Sequence, residues 1–229
     1  MKVIVTAPRG KMGKLITQVA ASRDDMELVA SIGPKGRDYI GTDLGTVAMV
    51  GKELHVPVVD DLESVIDKCD VIIDFSTKEI PMLYAANTSK LVNVMNKVLE
   101  FITKTVGEEL DIEILEMHDQ WKKDAPSGTS KEMGETMAHA LGKELSDIAV
   151  YGREGVSPRE PGTIGYHSLR AGNIPSSHTV FFGGMGERLE ITHHCYNWEC
   201  FARGACDCAA YLANKGPGYY TIKDVLHLS

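Results

Sequence analysis

The segment KVIVTAPRGKMGK, Lys2–Lys14, decides the fold of the N-terminal half of the chain. Its first part, Lys2–Ala7, is mostly apolar and β-branched, which is typical of a buried strand in a parallel sheet. A tight turn with glycines follows, and the next residues have helical spacing with one apolar side. This order of strand, turn and helix predicts the first unit of an α/β sheet.

The same alternation continues along the N-terminal half. Met26–Ile32 is predicted as a second strand, Leu62–Lys68 as the region of a helix, and Val71–Phe75 as a further strand. Strands that alternate with helices indicate parallel pairing through right-handed crossovers. We therefore predict a Rossmann-like parallel sheet in an α/β protein.

The pattern changes in the C-terminal half. A long helix, Ser89–Val106, is followed by a strand, Asp111–Met117, and by a second helix, Ser130–Leu141. Three alternating segments separated by Gly, Pro and Ser come next, namely TIGYHSLR, HTVFFGG and ERLEITHHC. This half is predicted to be an α+β domain with a mixed or antiparallel sheet and helices on one face.

The composition indicates an acidic globular protein. The 229 residues carry a formal net charge of −8, with 43% hydrophobic and 24% charged residues. This charge argues against general nucleic-acid binding, so an anionic ligand requires a local cluster of positive charge. No apolar stretch is long enough to span a membrane, and the N-terminal apolar run is too short for a signal peptide. We therefore expect a cytoplasmic protein.

The five cysteines predict neither a disulfide framework nor a metal site. Their count is odd and the chain is not small. Cys206 and Cys208 lack the gap of most zinc knuckles. His193 and His194 precede Cys195 and leave a metal site open, but core thiols without a metal are the commoner case.

The turn after the first strand is a candidate site for a dinucleotide. Backbone N–H groups at the start of a helix can hold a pyrophosphate, and the helix dipole adds to the attraction. The glycines keep part of the G-x-G-x-x-G spacing, with an alanine at the position of an earlier glycine. An ordinary turn between strand and helix is the alternative. The candidate cofactor residues here are Ala7, Arg9, Gly10, Lys11, Met12 and Gly13.

Basic residues near this turn bear on the choice of cofactor. Enzymes that hold the ribose of NAD usually place an acidic residue at the end of the second strand, whereas this chain has Lys35 shortly after it. Together with Arg9 and Lys11, this charge would suit a 2′-phosphate, so NADPH is favoured and NADH remains possible. Solvated surface lysines are the alternative explanation.

A second candidate site lies in EMHDQWKKDAPSGTS, Glu116–Ser130. It combines His118, Lys122 and a Pro-Ser-Gly-Thr turn. Ser127 or Thr129 would cap the helix that follows. One interpretation is a solvated loop before a helix. The other is a site that binds a small anion and gives it a proton, because imidazole titrates near neutral pH and a helix start attracts anions.

This stretch resembles the signature of the 4-hydroxy-tetrahydrodipicolinate reductase (dihydrodipicolinate reductase) family, E-x-H-x-x-x-K-x-D-A-P-S-G-T, which is matched from Glu116 to Thr129. Further matches are DFST at Asp74–Thr77, AAN at Ala85–Asn87, and the segments PGTIGYHSLRAGNI and GERLEITH. The resemblance extends over nearly the whole chain.

The resemblance implies NADH- or NADPH-dependent reduction of a cyclic unsaturated dicarboxylate, 4-hydroxy-tetrahydrodipicolinate, to tetrahydrodipicolinate in the diaminopimelate route to lysine. It implies His118 as the proton donor and Lys122 as a second catalytic residue. The implied substrate-binding residues are Asp119, Ser127, Gly128 and Thr129. The implied further cofactor contacts are Phe75, Ser76, Thr77, Ala86 and Asn87.

The resemblance also implies a domain division and an assembly. Residues 1–88 with 198–229 would form the dinucleotide-binding domain. Residues 89–197 would form the substrate-binding and oligomerisation domain, whose sheet would assemble a homotetramer.

Three departures from the family pattern qualify these expectations. Asp119 stands where the family has a second histidine, and Trp198 lies in a segment where the family has an arginine. A G-T-T-G segment is missing, because only KEIPMLY separates Thr77 from AAN. We expect a shortened cofactor domain with weak dinucleotide binding. The alternatives are a diverged member that reduces another small cyclic imine and a non-catalytic homologue that keeps the fold.

Overall fold

The structure is a computed structural model that describes residues 1–74, 82–216 and 218–228. Its strands, in chain order, are β1 (Lys2–Thr6), β2 (Glu27–Ile32), β3 (Val58–Val59), β4 (Val71–Ile73), β5 (Met82–Tyr84), β6 (Asp111–His118), β7 (Ala149–Tyr151), β8 (Ile164–Arg170), β9 (Ser176–Gly184), β10 (Glu187–Cys195) and β11 (Tyr219–Thr221). Its helices are α1 (Lys11–Ala21), α2 (Leu44–Val47), α3 (Lys90–Val106), α4 (Gly128–Ala140), α5 (Leu145–Ile148), α6 (Glu199–Leu212) and α7 (Ile222–Leu226). None of the helices in these ranges combines the length and hydrophobicity that a membrane span requires.

The chain divides into two compact units. One comprises Met1–Ser89 together with the residues from Trp198 onward, and the other comprises Lys90–Asn197. The division expected from the sequence, residues 1–88 with 198–229 and residues 89–197, has nearly the same bounds. Which ligand each unit binds stays a prediction.

The first unit is built on a parallel four-stranded sheet with the order β3-β2-β1-β4. Its core joins Val3 of the central strand to Ile16 of α1 and Ala205 of α6. Gly204 allows α6 to approach the chain closely, because a Cβ there would lie 1.8 Å from the carbonyl oxygen of Thr88. β5 and β11 form a separate two-stranded parallel sheet. The predicted Rossmann-like parallel sheet is confirmed.

The predicted helix near Leu62–Lys68 is wrong in its type. The segment forms turns and a short 3₁₀ helix, Ile66–Lys68. Asp61 accepts a hydrogen bond from the N–H of Glu63 at 3.1 Å, and such a local side-chain bond competes with helical pairing. Among the apolar side chains of this segment, Val65 alone is buried, so little packing supports an α-helix.

The second unit is built on a mixed five-stranded sheet with the order β10-β9-β6-β8-β7. The central strand β6 pairs in parallel with β8 and antiparallel with β9. Helices α3 and α4 cover one face, where Leu99 and Met133 join Ile114, Val180 and Phe182 in the core. The predicted mixed sheet with helices on one face is confirmed.

Strand β6 carries a row of side chains that changes from apolar to polar. Alternate residues of the strand are buried, beginning with Ile112 and Ile114 and ending with Glu116 and His118. Because successive side chains of a strand point to opposite faces, these four lie on the same face of the sheet. The polar end of this row positions the candidate site.

Candidate functional site

His118 and Glu116 form a hydrogen-bonded pair inside the second unit. Nδ1 of His118 contacts Oε2 of Glu116, and the two side chains are 9% and 0% exposed. A carboxylate at Nδ1 holds a proton on that nitrogen and fixes the plane of the ring. Nε2 is then left to exchange a proton with a ligand.

Arg170 completes this arrangement from the neighbouring strand. The parallel register of β6 and β8 sets Arg170 opposite His118. Its guanidinium donates to Oε1 of Glu116 and to the carbonyl oxygen of Asp124, both at 2.7 Å. Burial alone would raise the pKa of the Glu116 carboxyl, but hydrogen bonds from His118 and Arg170 outweigh it and lower the pKa to about 2. Glu116 therefore stays ionised at neutral pH and orients His118 rather than donating protons.

His178 lies beside this pair on strand β9. It is opposite Glu116 in the antiparallel register and only 1% exposed. Its ring meets the His118 ring edge-on, with 5.3 Å between the centroids. Burial, and next the charge of His118, lower the pKa of His178 to about 3, so the ring is neutral at physiological pH. Its Nε2 lies 3.1 Å from Oγ of Ser127.

The start of helix α4 supplies the anion-binding geometry expected from the sequence. Ser127 is the N-cap, and its Oγ accepts a hydrogen bond from the N–H of Ser130 at 3.1 Å. Of the two caps considered, Ser127 is therefore the one that forms. Gly128 and Thr129 begin the helix, where backbone N–H groups and the helix dipole attract anions.

Lys122 and Asp119 lie in the loop between β6 and α4, and both have partners on the chain. Nζ of Lys122 donates to the two carboxylate oxygens of Asp124 at 2.9 and 3.1 Å. Oδ1 of Asp119 accepts a hydrogen bond from the N–H of Trp121 at 2.9 Å. A contact of either side chain with a substrate stays a prediction.

Glu116, His118 and His178 also have the chemistry of metal ligands. Their ligand atoms lie within 4.8 Å of one another, and all three residues are buried. Two histidines and a carboxylate occur together in catalytic zinc sites. However, the guanidinium of Arg170 holds an oxygen of Glu116 at 2.7 Å and would repel a cation. This charge disfavours a metal here.

The His-His-Cys segment considered at the sequence level does not add to this group. His193 and His194 are neighbours on β10, so their side chains point to opposite faces of the sheet. Sγ of Cys195 donates to the carbonyl oxygen of Asn197 at 2.8 Å. The absence of a metal stays a prediction.

In the first unit, the turn from β1 into α1 has the tight geometry that a dinucleotide site requires. Ala7 has a φ of 50°, in the left-handed region. A Cβ on Gly13 would lie 2.1 Å from the carbonyl oxygen of Ala7, so glycine alone fits there. Gly10 is the N-cap of α1 and offers no side chain to its first N–H groups, while Met12 packs against the core. These features fit a pyrophosphate.

The basic side chains near this turn are partly engaged. Nη1 of Arg9 lies 2.6 Å from Oδ1 of Asp38, and both side chains are exposed. Nζ of Lys11 lies 3.6 Å from the centre of the Trp198 ring. Lys35 is exposed in the loop after β2. Their contact with a 2′-phosphate stays a prediction.

The remaining candidate cofactor residues follow strands β4 and β5 along the sequence. Three of them lie outside the described residues: Phe75, Ser76 and Thr77. The preceding residue, Asp74, accepts a hydrogen bond from Oγ1 of Thr6 at 2.6 Å, so Asp74 itself lies beside the end of β1. Ala86 is exposed, and Oδ1 of Asn87 accepts a hydrogen bond from the N–H of Ser89 at 2.8 Å.

Sequence reasoning missed Arg170 and His178 as members of the site, and it gave Glu116 no role beyond the motif. The period of a strand could have paired Glu116 with His118, because residues two apart share a face. Arg170 and His178 carry no comparable local signal, because strand pairing alone brings them to Glu116.

Two models of one family together match residues 1–226 of the chain. The model described as "Dihydrodipicolinate reductase, N-terminus" matches residues 1–117. The model described as "Dihydrodipicolinate reductase, C-terminus" matches residues 91–226.

Individual relatives agree with these matches. The chain is 36% identical over 265 residues to the 4-hydroxy-tetrahydrodipicolinate reductase of Hahella chejuensis, and the alignment covers 99% of each. It is 38% identical over 266 residues to the enzyme of that name from Pseudomonas fluorescens, again with 99% of each covered. The fold is similar to that of a dipicolinate-bound dihydrodipicolinate reductase from Paenisporosarcina sp. TG-14, with a TM-score of 0.69 and 20% identity over 96% of this chain and 97% of that one.

The length of these alignments bears on the shortened cofactor domain. The first alignment spans 265 positions, whereas this chain has 229 residues, so the relative carries residues that this chain lacks. The placement of the gap after Thr77 stays a prediction.

Proposed function

Because the chain belongs to the dihydrodipicolinate reductase family, we propose that it reduces 4-hydroxy-tetrahydrodipicolinate to tetrahydrodipicolinate with NADH or NADPH, in diaminopimelate and lysine biosynthesis. The observation that carries the proposal is the His118–Glu116 pair beside the start of α4. A proton donor and an anion-binding turn are what this substrate class requires, since it carries two carboxylates and gains a hydride and a proton.

His118 is proposed to deliver the proton. Glu116 holds Nδ1, so Nε2 is the nitrogen that faces the reacting ring. Arg170 keeps Glu116 ionised and in place, and it therefore fixes the orientation of the donor indirectly. A bound nicotinamide cofactor supplies the hydride.

The substrate carboxylates are proposed to bind Lys122 and the N–H groups of Gly128 and Thr129. With a net charge of −8, the protein needs such a local cluster of donors to hold a dianion. Lys122 would exchange its contacts with Asp124 for the substrate, because the ammonium group can rotate between acceptors. The family resemblance adds Ser127 and Asp119, although the carboxylate of Asp119 would oppose a dianion.

The cofactor is proposed to bind the turn from Ala7 to Gly13. The close approach of Gly13 to Ala7 and the uncapped start of α1 support this assignment. NADPH is preferred in this proposal because of Arg9 and Lys35. We further propose a homotetramer assembled through the sheet of the second unit, as the resemblance to the family implies, and a cytoplasmic location.

The test is a pair of measurements on the intact protein. Oxidation of NADPH is followed by absorbance with freshly generated substrate, and NADPH and dipicolinate are titrated separately by calorimetry. We expect turnover together with binding of both. Binding of dipicolinate without turnover on the family substrate would favour a reductase of another small cyclic imine, which the carboxylate of Asp119 makes the second candidate. Failure to bind either ligand would contradict the proposal and favour a non-catalytic homologue.

A further inference from the structure

We propose that His178 is a positioning residue that locks the anion-binding turn at Ser127 to the His118–Glu116 pair. This inference deepens the proposed function and rests on it. It assigns a role to a buried side chain that neither donates the proton nor carries charge to the substrate.

The hydrogen bonds of Ser127 lead to this assignment. Its Oγ accepts the N–H of Ser130 at 3.1 Å, which caps helix α4. The hydroxyl proton then needs an acceptor, and Nε2 of His178 lies 3.1 Å away. With its Nε2 accepting, the neutral ring carries its proton on Nδ1. Ser127 is thereby held at both its donor and its acceptor sites.

The second nitrogen of His178 shows that packing alone does not explain this side chain. Nδ1 is buried and has no hydrogen-bond partner among the described residues. An unsatisfied buried polar atom is unfavourable, so an apolar side chain of similar volume would pack at lower free energy. The presence of an imidazole at this position is explained by the hydrogen bond that its Nε2 forms.

The position of the ring connects two separate elements of the site. His118 stands on the central strand β6, whereas Ser127 belongs to helix α4. His178 touches both, since its ring meets His118 edge-on at 5.3 Å and its Nε2 bonds Ser127. Small displacements of binding groups from their productive geometry reduce catalysis strongly, so a direct link between the proton donor and the carboxylate-binding turn has functional value.

The neutrality of the ring suits this role. Burial and the neighbouring charge of His118 keep the ring of His178 uncharged at physiological pH. The neutral ring of His178 therefore brings no positive charge that would compete with Arg170 and His118 for Glu116, and the orientation of the proton donor is not disturbed.

The chain offers a matched control on the opposite face of the same sheet. Oγ of Ser177 and Nδ1 of His194 lie 2.9 Å apart and form a second Ser–His hydrogen bond. Ser177 directly precedes His178 on β9, and His194 directly follows His193 on β10. Because neighbouring residues of a strand face opposite sides of the sheet, both side chains point away from His118. Changes in this pair test the effect of losing such a bond without altering the site.

The experiment compares His178→Leu, His178→Gln, Ser127→Ala and the double variant Ser127→Ala/His178→Leu. We expect His178→Leu and Ser127→Ala each to raise the Kd of dipicolinate and the KM of the substrate about tenfold, with a smaller change in kcat, as for the loss of one hydrogen bond. The double variant should be no worse than the poorer single one, because both changes break the same bond. His178→Gln should recover most of the affinity, since its amide oxygen can accept the Ser127 proton.

Hydrogen exchange gives a readout that does not depend on turnover. The amides at the start of α4 should exchange faster in His178→Leu and in Ser127→Ala, whereas Ser177→Ala and His194→Leu should leave them unchanged. If the wild-type protein does not reduce the family substrate but the two variants still exchange faster, the result would support the positioning role of His178 and count against the proposed function alone. Unchanged exchange and dipicolinate affinity in folded His178→Leu, or fully additive effects in the double variant, would overturn the inference. If His178→Leu does not fold, unchanged values in Ser127→Ala overturn it equally.

Discussion

Glu116 and His118 lie two residues apart on one strand, and the buried carboxylate of the first holds Nδ1 of the second. The pair stands where the apolar row of β6 gives way to polar side chains. Because Arg170 donates to the other oxygen of Glu116, the carboxylate stays ionised and its orientation is fixed. The orientation of the imidazole is therefore set by residues of the sheet and not by the loop that follows His118.

Replacing Glu116 by glutamine should slow catalysis. The amide keeps the volume but loses the charge that orients His118, so we expect kcat to fall roughly 10- to 100-fold, the range seen when an orienting partner is lost. Steady-state kinetics checks this, with Glu190→Gln on β10 as a control at an exposed carboxylate of the same sheet. An unchanged kcat in a folded Glu116→Gln protein would remove the orienting role.

Replacing His118 by glutamine should lower turnover far more than ligand binding. Loss of a general acid typically reduces the rate by ~10² to 10⁴, whereas dipicolinate, which is bound without being reduced and so needs no proton from a general acid, should bind with similar affinity. Activity and calorimetry on the same preparation separate the two effects. His139→Gln at the exposed end of α4 is the control. Nearly normal kcat in His118→Gln would end its assignment as proton donor.

The buried ring of His178 should make the protein less stable in mild acid. Its pKa is lowered from 6.5 to about 3 in the folded state by burial and by His118. The unfolded chain therefore binds a proton at higher pH than the folded protein does. The stability is fully present above the unfolded pKa and is lost as pH falls from 6.5 towards 3, because only the unfolded state gains the proton in that range. Between pH ~6.5 and ~5 the free energy of unfolding should fall by about 2 kcal/mol.

Urea unfolding at about pH 7 and about pH 5 tests this dependence. His178→Gln should reduce the difference between the two conditions, although burial lowers the pKa of His193 as well and contributes with the same sign. His139→Gln should keep the wild-type difference. The same pH dependence in His178→Gln as in wild type would contradict the assignment of this acid sensitivity to His178.

Adding one methyl group at Gly13 should disrupt the first turn. The new Cβ would lie 2.1 Å from the carbonyl oxygen of Ala7, which is backbone and cannot rotate away. We expect Gly13→Ala to lose roughly 1–3 kcal/mol of stability and most of its dinucleotide affinity. Gly10→Ala, whose Cβ would lie 3.2 Å from the same oxygen, is the graded comparison and should be milder. Equal melting temperatures and NADPH affinities for Gly13→Ala and wild type would contradict the tight turn.

The cofactor preference can be tested through Arg9 and its partner. Arg9→Ala and Lys35→Ala should weaken NADPH more than NADH if either side chain meets the 2′-phosphate. Asp38→Asn should have the opposite effect, because it removes the carboxylate that lies 2.6 Å from the Arg9 guanidinium. Shifts of roughly 3- to 10-fold are expected for a single exposed charge. Calorimetric titration with both cofactors measures them, and equal shifts for NADH and NADPH would exclude a phosphate contact.

Local periodicity and one motif were sufficient to predict most elements of this protein. The alternation of ERLEITHHC predicted a strand whose ends coincide with those of β10, because the period of a strand is a property of neighbouring residues. The motif from Glu116 to Thr129 placed His118 and the cap of α4 close together, since a short loop joins them along the chain. The helix near Leu62–Lys68 was predicted wrongly, because local side-chain bonds and weak packing decided that segment.

Only the tertiary structure decided which side chains meet. Spacing predicted the helix α3, but Met95 and Leu99 are buried while Leu91 is 68% exposed, and burial depends on what packs against each side. Arg170 and His178 reach Glu116 through strand register, which joins residues far apart in the chain. The lowered pKa values of Glu116 and His178 likewise arise from desolvation and partners that exist only in the folded state. The sequence by itself thus determined the periodic elements and the motif, whereas the charge state and orientation of the site required strands and helices to be brought together.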